Sequence, residues 1–192
     1  MVAASHAGHV DDALRPALDA SYEAQRERAY LDERDRLLAA RMIGRPLRGR
    51  SAAAVRCAWG LPAVLRVDPA LADGTPFPTT FWLACPLAVA ACGRLEASGL
   101  MRDLAARLGD DPALAADYAA AHERYVAFRD ELGPSVPRDP SAGGMPGRVK
   151  CLHSLYAHHL ATRDNPLGGW VAEQFEPLAC PAPCVRTEDD AA

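Results

Sequence analysis

The chain has 192 residues, a formal net charge of −4 and 49% hydrophobic residues. That length and apolar content suffice for one domain with a real core, and the acidic balance excludes a molecule that as a whole attracts nucleic acid. No apolar run is long enough to span a bilayer. The opening Met1-Val2-Ala3-Ala4-Ser5-His6 lacks the basic-then-apolar order of a signal peptide, so the expectation is a cytoplasmic protein. Its six cysteines are then expected as thiols or metal ligands rather than as disulfides.

Residues 1 to about 20 are rich in Ala, Asp and His and read as a flexible N-terminal extension. Residues 21–43 read as one helix with Tyr30, Leu31, Leu37, Leu38 and Met42 as its apolar members, ended by Gly44 and Pro46. The basic stretch Arg41, Arg45, Arg48, Arg50 follows and reads as a solvated linker rather than a phosphate or RNA contact. Ala52 to Cys57 and Pro62 to Val67 read as strands around a turn at Trp59-Gly60. The Gly- and Pro-containing segment Asp73 to Thr79 is a loop, and Thr79 to Leu83 is a third strand rich in β-branched and aromatic residues.

After Cys85-Pro86 the period becomes helical, Pro86 suiting the first helical position. Two helices break near Gly99, another runs from Asp111-Pro112 to about Leu132, and 133–145 is a loop. Pro146 then opens a helix through Lys150 and the histidines that Asn165-Pro166 stops, and a short helical piece follows around Trp170 to Phe175. The expected class is α+β: a small three-stranded antiparallel meander packed against a mostly helical body of about five helices. Residues 21–176 form the domain and 177–192 a tail carrying Cys180 and Cys184.

The segment Arg148-Val149-Lys150-Cys151-Leu152-His153 concentrates reactive side chains, and Lys150 is the one lysine of an arginine-rich chain. On a regular helix Arg148, Cys151, Leu155 and His158 share one face and His153 points the other way, so Cys151 and His153 would not form a two-ligand knuckle. Cys151 and His158 would stand about 10 Å apart along the axis, which places His158 at the far end of a pocket or behind a neighbour. Each of these histidines also reads as an ordinary half-buried or surface residue. Cys85 would cap the helix that begins at Pro86, where the helix dipole favours a thiolate. No Cys-x-x-Cys pair is present, so the usual zinc-ribbon signature is missing.

The segments Arg56-Cys57-Ala58-Trp59-Gly60-Leu61-Pro62, Asp73 to Thr79, Trp82-Leu83-Ala84-Cys85-Pro86 and Gly144-Met145-Pro146-Gly147-Arg148-Val149-Lys150-Cys151-Leu152-His153 resemble the actinobacterial family called domain of unknown function 501. Arg94-Leu95-Glu96-Ala97 and Ala121-His122 fit it too. The resemblance runs from about residue 30 to about 170 and assigns no reaction. It implies cysteines, or near equivalents, at Cys57, Cys85 and Cys151, with a further one near the C-terminus at Cys184 or Cys180.

Two expectations follow. In the first, Cys57, Cys85, Cys151 and Cys184 converge on an iron–sulfur cluster or a zinc ion, the missing close pairs favouring the cluster. Arg148 and Lys150 then hold a small anionic ligand beside it. In the second, Cys85 or Cys151 is a nucleophile, His153 or His158 the base, Asn165 orients a histidine and Arg148 with Lys150 binds an anionic substrate. The remaining alternative is a structural or interaction protein with buried cysteines. Neither membrane nor nucleic acid is an expected partner, and no protein partner is indicated.

Overall fold

The computed structural model describes residues 14–133, 142–175 and 178–187. Helices α1 (Arg15–Arg26) and α2 (Glu33–Ile43) lead into strands β1 (Gly49–Arg56), β2 (Pro62–Leu71) and β3 (Phe81–Leu83). Helices α3 (Pro86–Ser98), α4 (Leu100–Asp110), α5 (Pro112–Glu131), α6 (Leu152–Thr162) and α7 (Pro166–Glu173) complete the order. The sheet is antiparallel throughout, in the order β1-β2-β3, so the α+β meander and its helical body are present. The body holds seven helices among the described residues rather than five.

The sheet is covered on both faces. Ala54, Val64, Phe81 and Leu83 turn toward the main core with α5, α6 and α7. The alternate residues Leu65 and Val67 pack with Ala39 of α2. β2 is accordingly buried along most of its length, as expected of a central strand between two layers.

The single helix expected over 21–43 is two. Asp32 stops the run by accepting a 2.8 Å hydrogen bond from the Asp35 backbone N–H, an N-cap that starts α2. The intervening chain is extended enough for Tyr30 to form an antiparallel bridge with Ala52, and the Leu31 N–H donates to the Ser51 carbonyl at 2.8 Å. Arg66, 2% exposed, reaches from β2 to the end of α1 and donates to the carbonyls of Gln25, Arg26 and Arg28. The carbonyls at and just past the end of α1 lack helical partners, and the two terminal nitrogens of the buried guanidinium satisfy them, although its Nε has no partner of its own. Helix α1 begins at Arg15, inside the stretch expected to be an extension, and residues 1–13 lie outside the described residues.

Helix α6 is the centre of the body, with Leu152, Leu155, Tyr156, Ala157 and His158 buried. It starts at Leu152, not at Pro146. The preceding chain folds back instead: the Arg148 N–H donates to the Gly144 carbonyl at 2.9 Å and the Lys150 N–H to the Gly143 carbonyl at 2.7 Å. Gly143 and Gly144 both have positive φ, and a Cβ on Gly143 would lie 2.7 Å from Cδ2 of Leu155. The loop therefore lies flat on α6 and delivers Cys151 to its N-cap. At the other end Asn165 caps α7 by accepting from the Gly168 N–H at 2.8 Å. Gly168 lets α7 meet α6 backbone to backbone, since a Cβ there would stand 2.1 Å from the Leu155 carbonyl oxygen.

Candidate functional site

Cys151 has extended φ and ψ of −154° and 107°, whereas His153 lies in the first helical turn. The facing rule for a regular helix therefore does not apply, and the two side chains converge: Sγ of Cys151 is 3.9 Å from Nδ1 of His153. This corrects the expectation that they point apart. Glu96 of α3 completes the group, its Oε1 lying 3.1 Å from the same Nδ1 and accepting a 2.8 Å hydrogen bond from the Leu152 N–H. The three ligand atoms lie within 4.8 Å of one another.

Helix α3 positions His153 from two places. Val89 and Glu96 are seven residues apart, hence on one face of the helix. The Val89 carbonyl lies 3.2 Å from Nε2 while Glu96 addresses Nδ1. The Val89 carbonyl accepts from Nε2–H, the outer-shell arrangement of metal-ligating imidazoles, and without a metal the imidazolium Nδ1–H faces the thiol and carboxylate, where a bound ion would replace that proton. Zinc bonds of about 2.3 Å to sulfur and about 2.0–2.1 Å to nitrogen or oxygen place tetrahedral ligands about 3.3–3.6 Å apart. The observed separations of 3.9 and 3.1 Å straddle that range.

Electrostatically the group favours a thiolate. Burial acts to raise the Cys151 thiol, but hydrogen bonds from His153 and from the Ser154 side chain and backbone outweigh it and hold the thiol below its ordinary range. The Ser154 hydroxyl donates to Sγ at 3.6 Å. The hydrogen bond to Cys151 in turn pushes His153 up to about 9, against burial and with support from the Glu96 charge. Position at a helix N-terminus adds the helix dipole to the same effect.

Cys151, His153 and Ser154 open into a cleft of about 680 Å³. Its walls include Met42, Phe81, Leu83 and Val89, with Thr79 and Arg45 as further polar lining. That volume lies within the range of small-molecule sites.

The other expected residues are placed as follows. Cys85 is the N-cap of α3, without a side-chain capping bond. Cys57 and Cys85 pack with Val185 on Leu38, Met42 and Leu61. Burial first, then the thiols of Cys85, Cys180 and Cys57, raise Cys184. These cysteines are outside the group that Cys151 forms with Glu96 and His153. The tail that carries two of them is fastened by a 3.0 Å hydrogen bond from Nε1 of Trp59 to the Cys180 carbonyl and by Arg41 donating to the Arg186 carbonyl. Cys92 is fully buried, and burial, followed by Glu96 and Cys151, pushes its thiol up to about 12. All six cysteines are free. Arg148 and Lys150 are exposed and do not line the cleft.

His158 is in the core, not at a pocket. Its Nδ1 faces Nδ2 of Asn165 at 3.2 Å and its Nε2 faces the Tyr22 hydroxyl at 2.6 Å. Because the amide nitrogen donates to Nδ1, Nε2 carries the proton. Tyr22 then donates onward to Asp164 at 2.9 Å, and Nε of Arg124 donates to the same carboxylate at 2.8 Å. Burial above all holds His158 well down, at about 4. The network joins α1, α5 and α6.

Sequence reasoning alone does not single out Glu96 as a ligand. The available signal is its place in Arg94-Leu95-Glu96-Ala97, one of the segments that carry the family resemblance. No helix among the described residues is long and apolar enough to cross a membrane. No curated protein and no solved structure matches the chain. The strands, the α3 carboxylate and the Cys151–His153 turn nevertheless fall largely within residues 53–173, which match the model of the family described as Protein of unknown function (DUF501), and the chain belongs to that family.

Proposed function

We propose that the protein is a cytoplasmic, single-domain metalloprotein that holds one divalent ion on Glu96, Cys151 and His153 and presents it to a small-molecule ligand in the adjoining cleft. The observation that carries this reading is the convergence of one thiol, one imidazole and one carboxylate within 4.8 Å at the cleft wall. A mixed sulfur, nitrogen and oxygen donor set suits zinc, whereas iron–sulfur clusters take mostly thiolates, four of them in the common types. Three protein donors leave the fourth position for water or a ligand, as in catalytic rather than structural zinc sites. In this reading Cys57, Cys85 and Cys184 secure the tail and are not metal ligands.

The test is cobalt substitution of metal-stripped protein. Thiolate-to-cobalt charge transfer should accompany one equivalent of bound metal in the unmodified chain and vanish in C151S, while H153N and E96Q shift the spectrum. Equal spectra from the unmodified chain and C151S sink the reading.

A second reading is a cysteine–histidine enzyme, with Cys151 the nucleophile and His153 its partner. The position of Cys151 at the start of α6, open to the cleft and with the Ser154 hydroxyl on its sulfur, favours it. Cys85 and His158 have no part in it, the latter being fully buried with both ring nitrogens engaged.

A further inference from the structure

Among the described residues Arg45 is the one arginine that lines the cleft. The left-handed Gly44 ends α2, and the Arg45 N–H turns back to the Ala40 carbonyl at 3.0 Å, fixing the backbone at the rim of the cleft. The guanidinium lies over the Trp82 ring, 5.2 Å from its centroid. Among the described residues it has no carboxylate partner, unlike Arg26, Arg56 and Arg124.

The cleft lining supplies no carboxylate either. It contains one arginine, one histidine, two hydroxyls and one thiol, and no aspartate or glutamate. Arg45 and Trp82 also line a second, smaller cavity of about 240 Å³ beside Phe77 and Leu47, so the pair stands where the two spaces meet. Phe77 packs against Trp82 with ring centroids 5.5 Å apart, which steadies the indole that carries the cation.

A cation stacked on an aromatic ring, held on a fixed backbone and left unpaired by the protein, is preorganised for an oxyanion. Guanidinium binds carboxylate or phosphate through paired hydrogen bonds, and stacking on indole restrains it before the ligand arrives. The apolar walls between Arg45 and Cys151 call for an apolar ligand body.

We infer that the cleft takes a small organic anion, a carboxylate or phosphate ester with an apolar or aromatic body, whose charged group is held by Arg45 over Trp82 and whose body runs along Phe81 and Leu83 toward Cys151. The ligand's far end rests on the metal reading above, whereas the recognition of its charge by Arg45 does not.

The test uses the full chain and three probes with the same ring: 2-naphthyl phosphate, 2-naphthoate and uncharged 2-naphthamide. Binding is followed by calorimetry and by the Trp82 indole N–H resonance, assigned with W82F. Both anions should bind at least about fivefold more tightly than the amide, the effect of one charge-assisted contact. R45Q should erase that preference while leaving amide affinity within about twofold, and R45K should keep part of it. Arg45 is exposed, so the variants are expected to fold, which unchanged circular dichroism would verify. Failure of both anions to bind, equal affinity for all three probes, or a preference untouched by R45Q overturns the inference. Repeating the titration on metal-stripped protein separates the two readings: a preference that survives stripping in a chain that binds no metal overturns the metal site alone.

Discussion

Cys151 and His153 are two positions apart and point to the same spot, because the chain is extended at the first and helical at the second. In a continuous helix those positions would face roughly opposite sides. One residue of non-helical backbone is what creates the candidate centre, and the Gly143-Gly144 loop holds that residue in place.

If the centre binds zinc, E96Q, C151S and H153N should each weaken zinc by at least about a hundredfold, more than the loss of an outer-shell partner. Competition with a chromogenic chelator measures this. Saturating zinc should also raise the Tm of the unmodified chain by several degrees, since binding to the folded state alone adds about 2.7 kcal/mol at a hundred times Kd. It should leave the Tm of H153N unmoved.

Metal removal should change the reactivity of one thiol. Near neutral pH, iodoacetamide should label Cys151 quickly in stripped protein and slowly after zinc is restored, because alkylation requires a free thiolate. Cys92, fully buried with its thiol pushed up to about 12, should resist labelling in both states. Peptide mapping by mass spectrometry distinguishes the sites.

The buried network gives a pH prediction. His158 is held at about 4 in the fold, against the 6.5 of an ordinary histidine, so between those values the unfolded chain binds the extra proton. Stability contributed by this residue is therefore fully present above about pH 6.5 and is lost as pH falls toward 4. The loss approaches about 3 kcal/mol at its end, each tenfold difference in proton affinity being worth about 1.4 kcal/mol. Urea unfolding at pH 7.5, 6 and 5 should show the decline, and H158Q should flatten it. Y22F should cost about 1–3 kcal/mol at neutral pH, because it removes a hydroxyl that serves both His158 and Asp164.

G168A should be the most damaging single-carbon change, for the added Cβ meets a carbonyl oxygen of the facing helix at 2.1 Å. Backbone must move to admit it, and a loss of about 3 kcal/mol or more is expected in urea titrations.

Much of the architecture is legible in residue order. Gly44, Gly99, Pro86 and Asp111-Pro112 mark helix ends through local backbone chemistry that survives folding. The break at Asp32 is legible in principle, as an N-cap aspartate followed by Glu33, but the apolar residues from Tyr30 to Met42 read as members of one continuous helix and hide it. The site is harder. Finding it requires the loop before α6 to fold back, and helical periodicity cannot report a residue in extended backbone. Glu96 lies on a different helix, 57 positions before His153, and only tertiary packing joins them. His158 resembles a functional histidine for the same reason: nothing local shows that Tyr22 and Asn165 occupy both its nitrogens.

The short connection that bridges Tyr30 to Ala52 has a further consequence for how copies of this chain behave toward one another. It lies along the outer side of β1, where unsatisfied backbone groups would otherwise offer a template to a second molecule. At the opposite margin β3 is only three residues long, with α6 packed against it. The chain thus covers part of one margin and leaves only a three-residue strand at the other, which limits strand-to-strand self-association.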